Sequence, residues 1–204
     1  TFFKFLKTSN LIPDDPARSL EHPKFENKPP RILSELEYRA LRDASRSDLR
    51  MFAIIEVLLQ TGIRIGELAA LKLSDARKNE LHIAPYEKHQ ERIVPLNKRA
   101  LEALNDYLKI RPKTKEEHIF ITKSGKPFLI RNIRTSVERY FRLAEIKGAK
   151  INDLRHTFVA HHIRRGVSLT LVSKILGHKR ISTIERYLQY IPQRDKETAV
   201  LTEL

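Results

Sequence analysis

The stretch TGIRIGELAALKLSD, residues 61–75, marks the end of one predicted helix and the start of the next. Apolar side chains before it, over residues 48–60, recur at the spacing of an amphipathic helix. Thr61-Gly62 breaks that helix, and IGELAALKL predicts a short helix directly after the break. Arg64 therefore lies in the break between two predicted helices. We expect Glu67 and Asp75 to orient Arg64 and the turn that follows.

The rest of the chain is predicted to be mostly helical. SELE, at residues 34–37, is a capping box that marks a helix start. LHIAPYEKHQERIVPL predicts two short strands around a turn, over 81–84 and 92–95, and HIFITKSGKPFL predicts a further strand before a Ser-Gly turn. Further helices are expected over 101–110, 130–146, 153–165, 168–176 and 181–190. The fold class is mainly α with a small antiparallel β-sheet (α+β).

The charge of the chain favours a polyanionic partner. The 204 residues carry a formal net charge of +14 and have a sequence pI of about 10.1. Residues 1–30 hold five Lys/Arg against four Asp/Glu, so +13 of the excess lies from residue 31 onward. The charge belongs to the folded body, which points to nucleic acid. A basic surface that is merely solvated is the alternative.

Other classes are excluded by composition. The absence of cysteine rules out disulfides and thiolate metal sites. His156, His161 and His162 lack the HExxH spacing of a zinc site, so no metal is expected. No apolar run approaches the ~20 residues of a membrane span, and no signal peptide opens the sequence. We expect a cytoplasmic protein that has no membrane partner.

Proline marks a division near residue 30. Five of the ten prolines fall within residues 13–30, which predicts an extended linker. The apolar TFFKFLKT before it resembles the tail of a helix whose partners are missing, and the chain opens on Thr rather than Met. We expect residues 1–30 to be the end of a missing domain plus its linker, 31–192 a catalytic domain, and 193–204 a tail that docks on a neighbouring protomer.

Two further segments decide the class of protein. NDLRHTFVAHHIRRG occupies residues 152–166, and LGHKRISTIERY occupies 176–187. Together with TGIRIGELAALKLSD, and in this order and spacing, they resemble the sequence boxes of the tyrosine recombinases, the phage integrase family that includes Xer-like enzymes. The resemblance covers about residues 31–190 and implies the catalytic-domain fold of that family.

The resemblance implies a phosphoryl-transfer site that needs no metal and no cofactor. Arg64 and Arg155 fall on the two motif arginines, whose guanidinium groups clamp the non-bridging oxygens of a phosphodiester. Losing one such donor typically costs ~3–4 kcal/mol of barrier. Tyr187 falls on the nucleophile that forms a covalent 3′-phosphotyrosyl link, and His178 on a phosphate contact that also assists proton transfer.

Two positions depart from the family pattern. The leaving 5′-oxygen takes its proton from a hairpin lysine in the family, and Lys88 is the best match, although the usual register falls on Glu87. Asn152 stands where the family usually has His. Its amide can contact a phosphate but cannot transfer a proton, and it can equally be a helix N-cap. His156 is a less favoured substitute, since its position tends to be structural in the family.

Basic residues outside the boxes suggest a DNA-backbone contact. Four of them surround a turn and a helix start, a setting suited to phosphates: Lys123, Lys126, Arg131 and Arg134. The resemblance implies double-stranded DNA as partner and a homotetramer on DNA, hence a site-specific recombinase or integrase. A type IB topoisomerase-like nicking-closing enzyme and a DNA-binding relative with impaired cleavage are the alternatives.

Overall fold

The structure, a computed structural model, describes residues 2–21, 29–87, 90–178 and 181–190. Within these ranges the chain is mostly helical, as predicted. The helices are α1 Phe2–Thr8, α2 Glu35–Ser45, α3 Leu49–Thr61, α4 Ile65–Ala70, α5 Lys98–Ile110, α6 Ile130–Leu143, α7 Ile151–Arg164, α8 Leu169–Leu176 and α9 Ser182–Leu188. The strands are β1 Ala76–Arg77, β2 Glu80–Ile83 and β3 Arg92–Pro95.

Helix α2 begins at the predicted capping box. The Ser34 hydroxyl accepts a hydrogen bond from the Glu37 N–H at 3.2 Å, and the Glu37 carboxylate accepts one from the Ser34 N–H at 2.8 Å. Both exchanges satisfy backbone donors that a helix N-terminus leaves without intrahelical partners. Glu37 also binds Arg31 at 2.7 Å, which fixes the chain entering the domain.

Helix α3 is the central element of the larger core. Nine of its thirteen residues are buried, and it packs against α2, α5 and α7. The carboxylate of Glu56 is a buried charge on this helix, and it binds Arg42 of α2 and Gln60. A buried charge is tolerated only with such partners.

The three strands form an antiparallel sheet in the order β1-β2-β3. Leu81 pairs with Val94 and Ile83 with Arg92, so the hairpin brings the start of β3 opposite the end of β2. The predicted strand over HIFITKSGKPFL is wrong. Residues 118–121 pair with each neighbouring segment at one position only, Lys72 with His118 and Ile121 with Pro127, so no ladder forms, and the consecutive side chains Ile119, Phe120 and Ile121 are all buried.

A second, smaller core joins the last three helices. Its buried members come from α7, α8 and α9: Phe158, Val159, Ala160, Val172, Leu176, Ile184 and Tyr187. This cluster holds α9 against α7 and α8. The position of Tyr187 is therefore set by packing as well as by chain connectivity.

Gly62 connects the two cores. It ends α3 in the left-handed conformation, with φ 65°, and its N–H donates to the Leu58 carbonyl at 3.0 Å. A Cβ at this position would lie 2.6 Å from Phe158 Cδ1 and 2.8 Å from Leu176 Cδ2. Glycine is required both by the backbone conformation and by the close approach of the second core.

We expect Gly62→Ala to destabilise the protein more than Gly166→Ala. Gly166 has a similar φ of +78°, but a Cβ there would meet nothing within 4 Å. Both variants should lose about 1–2 kcal/mol from the left-handed conformation, and Gly62→Ala about 1–3 kcal/mol more from overpacking. Urea unfolding measures both losses, and equal losses would contradict the packing of Gly62 against Phe158 and Leu176.

Candidate active site

Arg64 lies at the junction between α3 and α4. Its N–H donates to Glu67 Oε2 at 2.8 Å, which caps α4. Its Nη1 lies 3.4 Å from both Glu67 Oε1 and the Leu176 carbonyl oxygen, and 28% of the side chain is exposed. The orienting role predicted for Glu67 is confirmed, as is that of Asp75, whose carboxylate accepts from the Lys72 N–H at 2.8 Å.

Arg155 reaches the same place from α7. Its Nη1 donates to the Gly62 carbonyl at 2.5 Å and its Nη2 to the Leu176 carbonyl at 3.0 Å. Burial, and then the charge of Arg64, lower the pKa of the Arg155 guanidinium to about 9. The group therefore still carries its charge at pH 7, and its backbone acceptors are neutral.

His178 follows the Gly177 that ends α8. Its Nε2 lies 2.8 Å from Arg155 Nη2. A guanidinium can only donate, so Nε2 accepts and the imidazole proton of a neutral ring resides on Nδ1. The structure thus brings together three of the predicted residues, since Arg64 and Arg155 share the Leu176 carbonyl and His178 binds Arg155.

Tyr187 lies close to this group but is oriented by another residue. Its side chain is 8% exposed, and its hydroxyl is 2.6 Å from His156 Nδ1. Burial raises the pKa of the Tyr187 phenol, and the charge of Arg155 opposes that rise. Among the described residues the hydroxyl is hydrogen-bonded to His156 and to neither arginine.

Lys88 lies outside the described residues. The chain that leads to Lys88 passes beside the site, because the Tyr86 ring lies against Gly66 of α4. A Cβ on Gly66 would be 2.5 Å from the Tyr86 hydroxyl oxygen.

Asn152 does not cap α7, so that alternative is wrong. The N-cap is Lys150, whose N–H donates to the Asp153 carboxylate at 2.7 Å in a capping box. Asn152 lies in the first turn of the helix, and its side chain is exposed.

The basic residues predicted to contact DNA outside the boxes are all exposed: Lys123, Lys126, Arg131 and Arg134. None of the ion pairs seen between described residues involves them. Lys123 and Lys126 flank the turn at Gly125, and Arg131 and Arg134 lie in the first half of α6. Their charge is available to a polyanion.

Neither a metal cluster nor a membrane helix is found in the described part of the chain. No three His, Asp or Glu side chains there are placed to hold a metal ion. None of the helices described is long and apolar enough to cross a bilayer.

Comparison with known proteins identifies the arrangement. The sequence model of the phage integrase family matches residues 30–194 of the chain. The chain belongs to the phage integrase family. Tyrosine recombinase XerC of Staphylococcus carnosus is 31% identical over 196 residues, which cover 92% of this chain and 66% of that relative. The chain thus spans a little under two thirds of the length of this relative.

Solved structures agree with this family assignment. The crystal structure of XerA recombinase is 31% identical, with a TM-score of 0.72 over 83% of this chain and 62% of that one. A lambda integrase tetramer bound to a Holliday junction has a TM-score of 0.72 over 88% of this chain and 56% of that one. At 20% identity the second likeness shows the fold alone. The predicted tyrosine recombinase catalytic-domain fold is confirmed.

Sequence reasoning missed Arg92, which supports the site in this phage integrase family member. Its guanidinium forms a bidentate pair with Glu67, at 2.9 Å and 2.8 Å, and its Nε donates to the Ile175 carbonyl at 2.6 Å. The side chain is 8% exposed and passes beside Gly177, where a Cβ would be 3.1 Å from Arg92 Cδ. Arg92 is the first residue of a four-residue strand in ERIVPL, and nothing in that sequence indicates that it contacts Glu67.

Glu67 remains ionised because of these partners. Burial raises the pKa of Glu67, but the hydrogen bonds from Arg92 and from the Arg64 N–H outweigh it, so the pKa lies below its ordinary value of 4.5. A carboxylate with a lowered pKa stabilises the fold above the unfolded pKa. That contribution is lost as pH falls from about 4.5 through the folded pKa.

We expect Arg92→Met to cost about 3–5 kcal/mol of stability, because it removes one partner from a buried ion pair. The matched control is Lys72→Met, which removes an exposed pair with Glu117 at 2.9 Å and should cost about 0–1 kcal/mol. Unfolding in guanidinium chloride at pH 7 measures both losses of stability. The stability of Arg92→Met should also depend less on pH below 4.5 than that of the unmutated protein. Similar losses of stability in Arg92→Met and Lys72→Met would contradict a supporting role for Arg92.

Proposed function

We propose that the chain is the catalytic part of a site-specific DNA recombinase that cleaves and rejoins DNA through a covalent 3′-phosphotyrosyl intermediate. The observation that carries the proposal is the meeting of Arg64 and Arg155 at one carbonyl oxygen, that of Leu176, with His178 hydrogen-bonded to Arg155. Two guanidinium groups around one neutral acceptor form a site that attracts a phosphate. Tyr187 follows on the next helix, at the motif position of the nucleophile.

In the proposed reaction, non-bridging phosphate oxygens replace the backbone carbonyls as acceptors for Arg64 and Arg155. This exchange gives each guanidinium an anionic acceptor in place of a neutral carbonyl, and charge-assisted hydrogen bonds are stronger than those to neutral acceptors. The phosphate gains the most as charge accumulates in the transition state. The two guanidinium groups already share the Leu176 carbonyl, so they are close together before a phosphate enters.

Tyr187 then attacks phosphorus, and the bond to the 5′-oxygen breaks. We propose Lys88 as the donor of the proton that the 5′-oxygen takes, and Asn152 as a neutral phosphate contact. The phosphotyrosyl link retains the energy of the phosphodiester, so the 5′-hydroxyl of another strand can reverse the step. The reaction as proposed uses no metal and no cofactor.

The proposed partner is double-stranded DNA, with four copies of the chain acting on two duplexes. The structure of lambda integrase as a tetramer bound to a Holliday junction supports this arrangement. A DNA partner in turn favours a cytoplasmic location. The proposed division keeps 1–30 as the end of a DNA-clamping domain and its linker, 31–192 as the catalytic domain and 193–204 as a docking tail. Residues 191–204 lie outside the described ranges, and the exposed Phe2 and Phe5 of α1 support the first part.

Two observations favour the alternative function, that of a DNA-binding relative with impaired cleavage. Tyr187 is buried and has a raised pKa, and Asn152 cannot carry a proton. Such a protein would bind DNA and leave it intact, so trapping of a covalent adduct separates the two functions. Strand exchange between two duplexes, against relaxation of one supercoiled plasmid, separates a recombinase from a type IB topoisomerase-like enzyme.

Tyr187→Phe should abolish adduct formation, because it removes the attacking oxygen. Nicked duplexes that carry the protein's own recombination site trap the adduct on a denaturing gel. Tyr190→Phe, three residues along, is the control and should keep the wild-type rate. An adduct that persists in Tyr187→Phe would exclude this nucleophile.

Replacing Arg131 and Arg134 together with Gln should weaken the salt dependence of DNA binding. If each arginine contacts one phosphate, the slope of log K against log salt should become less steep by about 0.9 for each residue. Fluorescence anisotropy of a labelled duplex measures the slope. The charge-matched control replaces Lys98 and Lys109 with Gln, since these lysines already have carboxylate partners at 3.9 Å and 2.8 Å. An equal change of the salt slope in the control would contradict the assignment.

A further inference from the structure

The contact between His156 and Tyr187 has no role in the reaction as described so far. His156 Nδ1 is 2.6 Å from the Tyr187 hydroxyl oxygen, and the ring centroids are 5.7 Å apart. His156 is on α7, directly after Arg155, and Tyr187 is on α9. The contact therefore joins the helix of the phosphate clamp to the helix of the nucleophile.

The surroundings of His156 keep its imidazole neutral. Burial lowers the pKa of His156, and the charge of Arg155 lowers it further against the opposing Asp153. Among the described residues, the charged groups that act on His156 are Asp153 and Arg155 on its own helix, and the Tyr187 hydroxyl faces it from α9. A neutral imidazole that holds its proton on Nε2 accepts the phenol proton at Nδ1. A distance of 2.6 Å is within the range needed for general base catalysis.

The other candidates in the described part of the site cannot take this proton. The Asn152 amide has no basic atom, and its side chain is exposed at the start of α7. His178 Nε2 already accepts from Arg155 Nη2. Arg64 and Arg155 are donors only. The burial of Tyr187 raises the pKa of its phenol, which increases the need for an acceptor in contact with it.

We propose that His156 is a catalytic residue, the general base that accepts the proton of Tyr187 as its oxygen attacks the phosphate. The inference rests on the proposed function. The proton passes from the Tyr187 oxygen to His156 Nδ1 while that oxygen forms its bond to phosphorus. The bond between phosphorus and the 5′-oxygen breaks, its electron pair stays on the 5′-oxygen, and a separate acid protonates it. On rejoining, the imidazolium returns its proton to the tyrosine.

The test isolates nucleophile activation from leaving-group protonation. The probe is a pool of labelled random-sequence duplexes that carry 5′-bridging phosphorothiolates, whose thiolate leaves without a proton. Covalent adduct is measured with the full chain for wild type, His156→Gln and His161→Gln. Glutamine keeps a hydrogen-bond acceptor but takes no proton, and His161 is an exposed histidine on the same helix.

We expect His156→Gln to form adduct about 10²–10⁴-fold more slowly than wild type at pH 7, and His161→Gln to match wild type. The defect should shrink as pH rises toward the pKa of the phenol, because the tyrosine then ionises unaided. A purely positioning role would leave the defect independent of pH, and that result would overturn the proposal.

An unchanged or faster rate in His156→Gln would also overturn it, the faster rate indicating that His156 restrains the tyrosine. Absence of adduct in wild type and in His161→Gln would instead reject the proposed function, and the role of His156 with it. Ultraviolet titration of the tyrosines gives a readout without DNA. The phenol pKa that is missing from the titration of Tyr187→Phe belongs to Tyr187, and it should change in His156→Gln and stay the same in His161→Gln.

Discussion

Arg64 and Arg92 both bind the buried carboxylate of Glu67, and Arg155 is close enough to feel its field. One anion thus serves three cations in a half-buried site. Glu67 holds the cations near one another, but it cannot neutralise them, and their other acceptors in the described part of the site include the neutral carbonyls of Gly62, Ile175 and Leu176. The surplus of positive charge is the feature on which the phosphate site depends, because an entering phosphate supplies the missing negative charge.

The backbone geometry of the site depends on two glycines in the left-handed conformation. Gly62 ends α3 and presents its carbonyl to Arg155, and Gly177 ends α8 and leads to His178. Arg92 passes beside Gly177 and binds the preceding turn through the Ile175 carbonyl. The hairpin, the α3–α4 junction and the α8 end are thereby connected through side chain to backbone contacts. A change in any of the three should be transmitted to the guanidinium groups.

Much of this could be predicted from the sequence. The capping box at Ser34, the hairpin strands and the break at Gly62 follow from local rules, and they are found where expected. The strand over HIFITKSGKPFL was predicted wrongly, because its run of consecutive apolar residues also suits a buried segment without a ladder. Arg92 and His156 could not be assigned, since their partners Glu67 and Tyr187 are 25 and 31 residues away in the chain. Only the folded structure brings such pairs together.

The most direct measurement is the crystal structure of the chain trapped covalently on a phosphorothiolate duplex. We expect a bond between phosphorus and the Tyr187 oxygen, with the non-bridging oxygens accepting hydrogen bonds from Arg64 and Arg155. We also expect the Leu176 carbonyl to have lost at least one of its guanidinium donors. A phosphate bound elsewhere on the chain, with both arginines still on the backbone carbonyls, would contradict these expectations.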